Sequence, residues 1–173
     1  MAPSTRRTSQ VADFINRVIR ENRLAARVEI TTNQRDALQN AQFVIATLQI
    51  GGNDAYALDI DIPLRYGVDQ CIGDSMGPGG IFRAARTIPV MDALAHDMRD
   101  CCPDALLLNY VNPMAMVCNA LQDAGIRSVG LCHGVQTTLD LIAGYTDVPK
   151  AEIDFLCAGI NHMAWFLALF HNG

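Results

Sequence analysis

Two hydrophobic rhythms alternate along this chain. Near the start, Val11, Phe14, Ile15, Val18 and Ile19 recur at helical spacing, and Ser9 stands where a helix cap belongs. Residues 28–32 are rich in β-branched side chains and read as a strand. Asn33 with Asp36 starts a short helix running to Ala41, and residues 43–48 read as a strand buried on both faces, ended by Gly51-Gly52. A helix follows over 55–66, limited by Pro63. The glycine-rich segment 73–80 then opens a long helix over about 81–100, which Pro89 is expected to kink. Next come a buried strand at 105–110, a helix at 114–124 introduced by Asn112-Pro113, and a short strand at 129–132. A helix at 138–145 and strands at 155–160 and 165–170 complete the pattern.

Such alternation predicts an α/β fold, a doubly wound sheet of parallel strands with helices between them. Ligands bind such sheets beyond the carboxyl ends of the strands. Gly51, Asn112, Cys132 and Asn161-His162 each follow a predicted strand and are therefore the positions to watch. A dinucleotide-binding sheet opens with a strand and a G-x-G-x-x-G turn, and Gly77-Pro78-Gly79-Gly80 does not have that spacing. The expectation is a Rossmann-like sheet read from downstream of its first strand.

Composition narrows the function classes. Half of the 173 residues are hydrophobic and 18% are charged, as in globular domains, and the formal net charge is −5. That balance offers no basic footprint for nucleic acid and no polybasic anchor for a membrane. No apolar run reaches the ~18–20 residues of a membrane helix, and the opening MAPSTRRTSQ has no apolar stretch behind its arginines. Six cysteines without a CxxC pair suit a reducing, cytoplasmic compartment.

Candidate chemistry gathers at the strand ends. Cys132 and His133 are adjacent, and His162 follows at a later strand end. Sulfur with imidazole makes a partial metal site, while a core thiol and a hydrogen-bonded histidine are the plainer alternative. Asn112 is placed to aim an amide at a ligand or simply to start a turn, and its bond to Pro113 is a candidate cis peptide. The 77–80 loop leads into a helix N-terminus suited to an anion or a sugar hydroxyl. Arg83 and Arg86 lie one turn apart on the helix that follows. His96 reads as a surface residue, and Met114 and Met116 as core.

Four segments carry a resemblance: GDSMGPGGIFRAARTIP at 73–89, LLNYVNPMAM at 107–116, VGLCHGVQ at 129–136 and AGINHMAWF at 158–166. In this order and spacing, from about residue 28 onward, the chain resembles family 4 glycoside hydrolases. The Cys-His pair and the GINHMAW form are similar to the α-galactosidase subgroup. The resemblance implies a fold like lactate and malate dehydrogenase, with residues 1–130 as part of an NAD-binding domain and 131–173 as the start of a catalytic domain. It implies cleavage of α-galactosides by oxidation, elimination, water addition and reduction, outside the two-carboxylate scheme of most glycosidases. The implied cofactors are NAD and a divalent metal, usually manganese.

By the same motifs, Cys132 and His162 would hold the metal, and Asp74 would raise the basicity of the catalytic base. His133 stands where other subgroups carry an aspartate proton donor. Asn112 would touch both nicotinamide and sugar, Gln49 and Gly51 would contact the cofactor, and Arg86 and Arg83 would line the sugar pocket. Tyr56 replaces an arginine typical of phosphosugar-specific members, which points to an unphosphorylated sugar. The expected partner is a small-molecule α-glycoside, with the whole enzyme a homo-oligomer. Two alternatives stand beside this reading: a lactate/malate-type dehydrogenase, and a non-catalytic piece of the glycosidase.

Overall fold

Residues 4–172 are described by a computed structural model. Helix α1 spans Thr5–Glu21 and opens at Ser4 rather than after Ser9, with the Thr8 hydroxyl donating to the Ser4 carbonyl at 2.6 Å. Helix α2 is Gln34–Leu38, capped by the Asn33 side chain, which accepts from the Arg35 N–H. Residues 28–32 make no strand among the described residues. A strand exists only where a second strand supplies its hydrogen bonds, and β-branched composition cannot provide that partner.

Strands β1 (Phe43–Ala46), β2 (Leu106–Asn109) and β3 (Ser128–Gly130) form a parallel sheet in the order β1-β2-β3. Between β1 and β2 the chain makes α3 (Gly52–Arg65) and α4 (Gly77–Cys101), both running through an internal proline, Pro63 and Pro89. Gly77–Gly80 belong to the first turn of α4, not to a loop before it. Helix α5 (Met114–Asp123) links β2 to β3, and α6 (Gly134–Thr146) follows β3. The Asn112–Pro113 peptide bond is cis.

Core packing explains the sheet's position. On α4, Met91, Leu94, Ala95 and Met98 repeat at helical spacing and are buried against Ala46, Leu107, Val117 and Leu121. Full burial of side chains such as Met91, Met98 and Leu107 contributes roughly 1.5–3 kcal/mol each. Met114 and Met116, expected in the core, are only half-buried on α5. The opposite face of the sheet is bare. Phe43 and Ile45 are 65% and 64% exposed, so β1 is buried on one face and not on both.

After a 3-10 turn at Lys150–Glu152, β4 (Ile153–Ile160) and β5 (Met163–His171) pair antiparallel as a separate hairpin. Only Asn161 and His162 connect them. So short a link excludes the parallel arrangement, which needs a crossover of a dozen residues or more.

Candidate functional site

The segment between α3 and α4 is pinned in place before it contributes chemistry. Gln70 donates to the Asp59 carbonyl at 2.9 Å and accepts from the Gly79 N–H at 2.9 Å. A Cβ on Gly79 would lie 2.6 Å from the carbonyl oxygens of Asp59 and Gly73, so only glycine lets the two backbones meet here. The Asp59 carboxylate, 3% exposed, takes both arms of the Arg86 guanidinium, at 2.8 Å from Nη1 and 2.5 Å from Nη2. That pairing holds the Arg86 pKa above its usual value, against the opposing effect of burial.

On this base a hydrogen-bonded row crosses four separate parts of the sequence. Asn112, just beyond β2, donates through Nδ2 to Asp74 Oδ2 at 2.8 Å. Ser75 Oγ donates to the other oxygen, Oδ1, at 3.0 Å. Ser75 Oγ also lies 2.8 Å from His162 Nδ1. The other ring nitrogen, Nε2, is 3.6 Å from Cys132 Sγ, beyond the end of β3. Ser75 is buried, whereas Asp74 and His162 keep side chains 26% exposed. His162 sits in the β4–β5 turn at φ +63°, a left-handed backbone position that turns its ring back toward Ser75 and Cys132.

Beside this row opens a cavity of about 630 Å³ between the start of α6 and the β4–β5 hairpin. Cys132, Gly134, Thr138, Asn161 and His162 line it, with Phe155 and Phe166 at the apolar wall. Oδ1 of Asn161 is buried without a hydrogen-bond partner.

Among the sequence-predicted residues, Asn112, Asp74, Cys132 and His162 come together in the row. His133 does not: it occupies the N-cap of α6 with its side chain exposed. Arg83 donates from Nε to the Asn112 carbonyl at 3.2 Å and lies over the Tyr56 ring, 5.4 Å from its centre. Arg86, expected at a sugar, has its fork turned to Asp59, leaving a buried Nε without a partner. Gly51 caps α3 at φ +80°, close to Arg86, and Gln49 donates to the Gly52 carbonyl at 2.9 Å. Ser75 and Asp59 escaped the sequence reading. Ser75 lay inside a motif already singled out, and Asp59 is one of two acids, with Asp61, in the apolar stretch ALDIDIPL, so nothing local told which of the two is buried.

Donor chemistry fits a metal bound at two points. Sulfur and nitrogen donors at the zinc bond lengths of about 2.3 and 2.1 Å, at a tetrahedral angle of about 110°, lie roughly 3.6 Å apart. Cys132 Sγ and His162 Nε2 have that separation, 3.6 Å. No group of three or more His, Cys, Asp or Glu side chains is arranged to hold a metal among the described residues, so further donors must come from outside this set.

A model of the family described as Family 4 glycosyl hydrolase matches residues 3–148, which stops short of His162. The alpha-galactosidase of Rhizobium meliloti (strain 1021) is 42% identical over 167 residues, covering 95% of this chain and 34% of that protein. The chain thus spans about a third of that relative's length. Among solved structures, a 6-phospho-alpha-glucosidase from gut microorganisms in complex with NAD and Mn²⁺ matches with a TM-score of 0.86 at 24% identity, over 98% of this chain and 39% of that one. The malate dehydrogenase from Aeropyrum pernix matches with a TM-score of 0.72 at 14% identity, over 99% of this chain and 51% of that one. At such identities these two likenesses show the fold alone, and that fold is the Rossmann-like α/β sheet.

Proposed function

This chain belongs to the family 4 glycosyl hydrolases, and from that membership we propose that it carries the metal-binding and nicotinamide-facing wall of an α-galactoside-cleaving enzyme. The carrying observation is the unbroken row from Asn112 through Asp74, Ser75 and His162 to Cys132. Its members come from the ends of two parallel strands, from the segment before α4 and from a hairpin turn. A purely structural network has no need to end in a sulfur and an imidazole nitrogen beside a cavity of about 630 Å³.

Cys132 and His162 would hold a divalent metal such as manganese, and Gln49, Gly51 and Asn112 would meet NAD. When bound, NAD supplies the redox capacity at the sugar ring, and the metal supplies positive charge beside the sugar oxygens. The protein's own groups do the placing. Asn112 is held by Asp74 at its side chain and by Arg83 at its carbonyl, which fixes the amide at the strand end. Arg86, gripped by Asp59, steadies the floor under Gly51 and leaves its Nε as a lone donor. His133, exposed at the start of α6, is free to approach a leaving group as a proton donor. The cofactor and catalytic parts would divide near residue 130, a reading supported by the end of β3 at Gly130.

The α-galactoside assignment rests on the Rhizobium relative and on the Cys132-His133 pair and the GINHMAW form, while Tyr56 favours an unphosphorylated sugar. Tyr56 packs beneath the Arg83 guanidinium. All six cysteines are free, in keeping with a cytoplasmic enzyme. No helix of the described residues is long and apolar enough to cross a membrane.

Mn²⁺ titration followed by electron paramagnetic resonance tests the metal assignment directly. Saturable binding is expected, and Cys132→Ser and His162→Ala should each weaken it at least about tenfold. Equal binding in all three proteins would remove the proposed site. With the whole protein, an α-galactoside should yield free galactose without net NADH; accumulating NADH would instead indicate a dehydrogenase.

A further inference from the structure

Ser75 has no role in the proposed chemistry, yet it is the most buried member of the row, at 6% exposure. Its hydroxyl has one proton and two neighbours, Asp74 Oδ1 at 3.0 Å and His162 Nδ1 at 2.8 Å. An ionised carboxylate can only accept, and a hydrogen bond to a charged acceptor outweighs one to a neutral ring. The Ser75 proton therefore goes to Asp74. Its oxygen is then left as an acceptor, and among the described residues the donor within reach is an N–H at His162 Nδ1. Asp74 reinforces this polarity directly, since its Oδ1 is 3.9 Å from the same ring nitrogen. Asn112 occupies the other carboxylate oxygen at 2.8 Å and keeps the acid from swinging away.

Resting on the metal reading of Cys132 and His162, we infer that Ser75 is a positioning residue that sets the tautomer of His162. Through Ser75, Asp74 holds the proton on Nδ1. The Nε2 lone pair is thereby presented, without rearrangement, toward Cys132 Sγ at 3.6 Å. The left-handed backbone of His162 aims the ring, and the Ser75 contact decides which nitrogen is bare. A histidine ligand commonly has its second nitrogen tied to a carboxylate or a carbonyl; here a hydroxyl is interposed between the ring and the acid. The placement of Ser75 depends in turn on the Asp59–Gln70–Gly79 contacts that seat its segment.

The test is ¹⁵N NMR of the histidine rings in the metal-free whole protein, at a pH where the rings are neutral, with Mn²⁺ affinity measured on the same samples. Wild type should show His162 protonated on Nδ1. Ser75→Ala should shift it toward the Nε2–H form and weaken Mn²⁺ by about tenfold or more. Ser75→Thr, which keeps the hydroxyl, should restore both, and an unchanged thermal unfolding transition by circular dichroism would show that Ser75→Ala stays folded. An Nε2–H ring in wild type, or an Nδ1–H ring that survives Ser75→Ala, overturns the inference. A tautomer shift as described in a protein that binds no Mn²⁺ would sustain the positioning role and overturn the metal reading instead.

Discussion

Asp59 and Arg86 show how one pair of side chains can matter more than its surface area suggests. Asp59 is 3% exposed and Arg86 31%, and each is the other's charged partner. Removing one member leaves a charge without compensation in a place with little water. Asp59→Asn should lower stability by about 3 kcal/mol, the low end for a buried pair because the arginine keeps some solvent. Urea denaturation of the two proteins side by side measures it, and a change below about 1 kcal/mol would mean that water replaces the lost carboxylate. Arg86 itself was legible in the sequence as a notable residue. Its partner was not, because 27 residues separate them and only the return of α4 along α3 brings them together.

At the scale of elements, the join of α2 to α4 is made by charge. Arg35 bridges Asp97 and Asp100, at 2.7 and 2.9 Å, and Gln34 donates to Asp97 at 2.8 Å. Hydrogen bonds from Gln34 and then Arg35 hold the Asp97 carboxyl below its usual pKa. A depressed native value means that the contribution is complete above the ordinary aspartate range and is lost as pH falls through the native value. Asp97→Asn should therefore flatten the decline in stability below about pH 4 and lower the stability near neutrality by the same small amount. Thermal melts across that pH range read the difference, and parallel acid limbs would place the acid sensitivity elsewhere. Element types were largely visible in the pattern of apolar residues: α1, α3, α4, α5 and α6 all fall where helical spacing placed them. Their starts were less visible. Gly77–Gly80 read as a loop because glycine and proline disfavour helices in general, yet proline suits a first turn, and Gly79 is needed where α4 crosses the Asp59 carbonyl.

Over the whole molecule, the most consequential feature is the uncovered side of the sheet. Phe43, Ile45 and Val129 stand on the face away from α4 and α5, at 65%, 64% and 40% exposure. Trp165, Leu167 and Phe170 add exposed apolar surface on β5. A sheet face of this kind associates with other apolar surface in water. The 173-residue chain on its own should therefore self-associate, and the double variant Phe43→Thr, Ile45→Thr should shift it toward monomer. Sedimentation velocity over a range of concentrations tests this. A wild-type chain that stays monomeric at high concentration would show that the bare face is harmless.

The sequence alone carried the family, the α/β alternation and four members of the candidate site: Asp74, Asn112, Cys132 and His162. It could do so because hydrophobic periodicity is local, and because motifs at strand ends are short strings that keep their order. Tertiary structure decided everything that required two distant segments to meet. It left residues 28–32 unpaired, turned β4 and β5 into an antiparallel hairpin, and directed Arg86 to Asp59. It also placed Ser75 between Asp74 and His162, 87 residues from the ring it touches. A hydroxyl's significance lies in the two groups it joins, and no periodicity along the chain encodes which two those are.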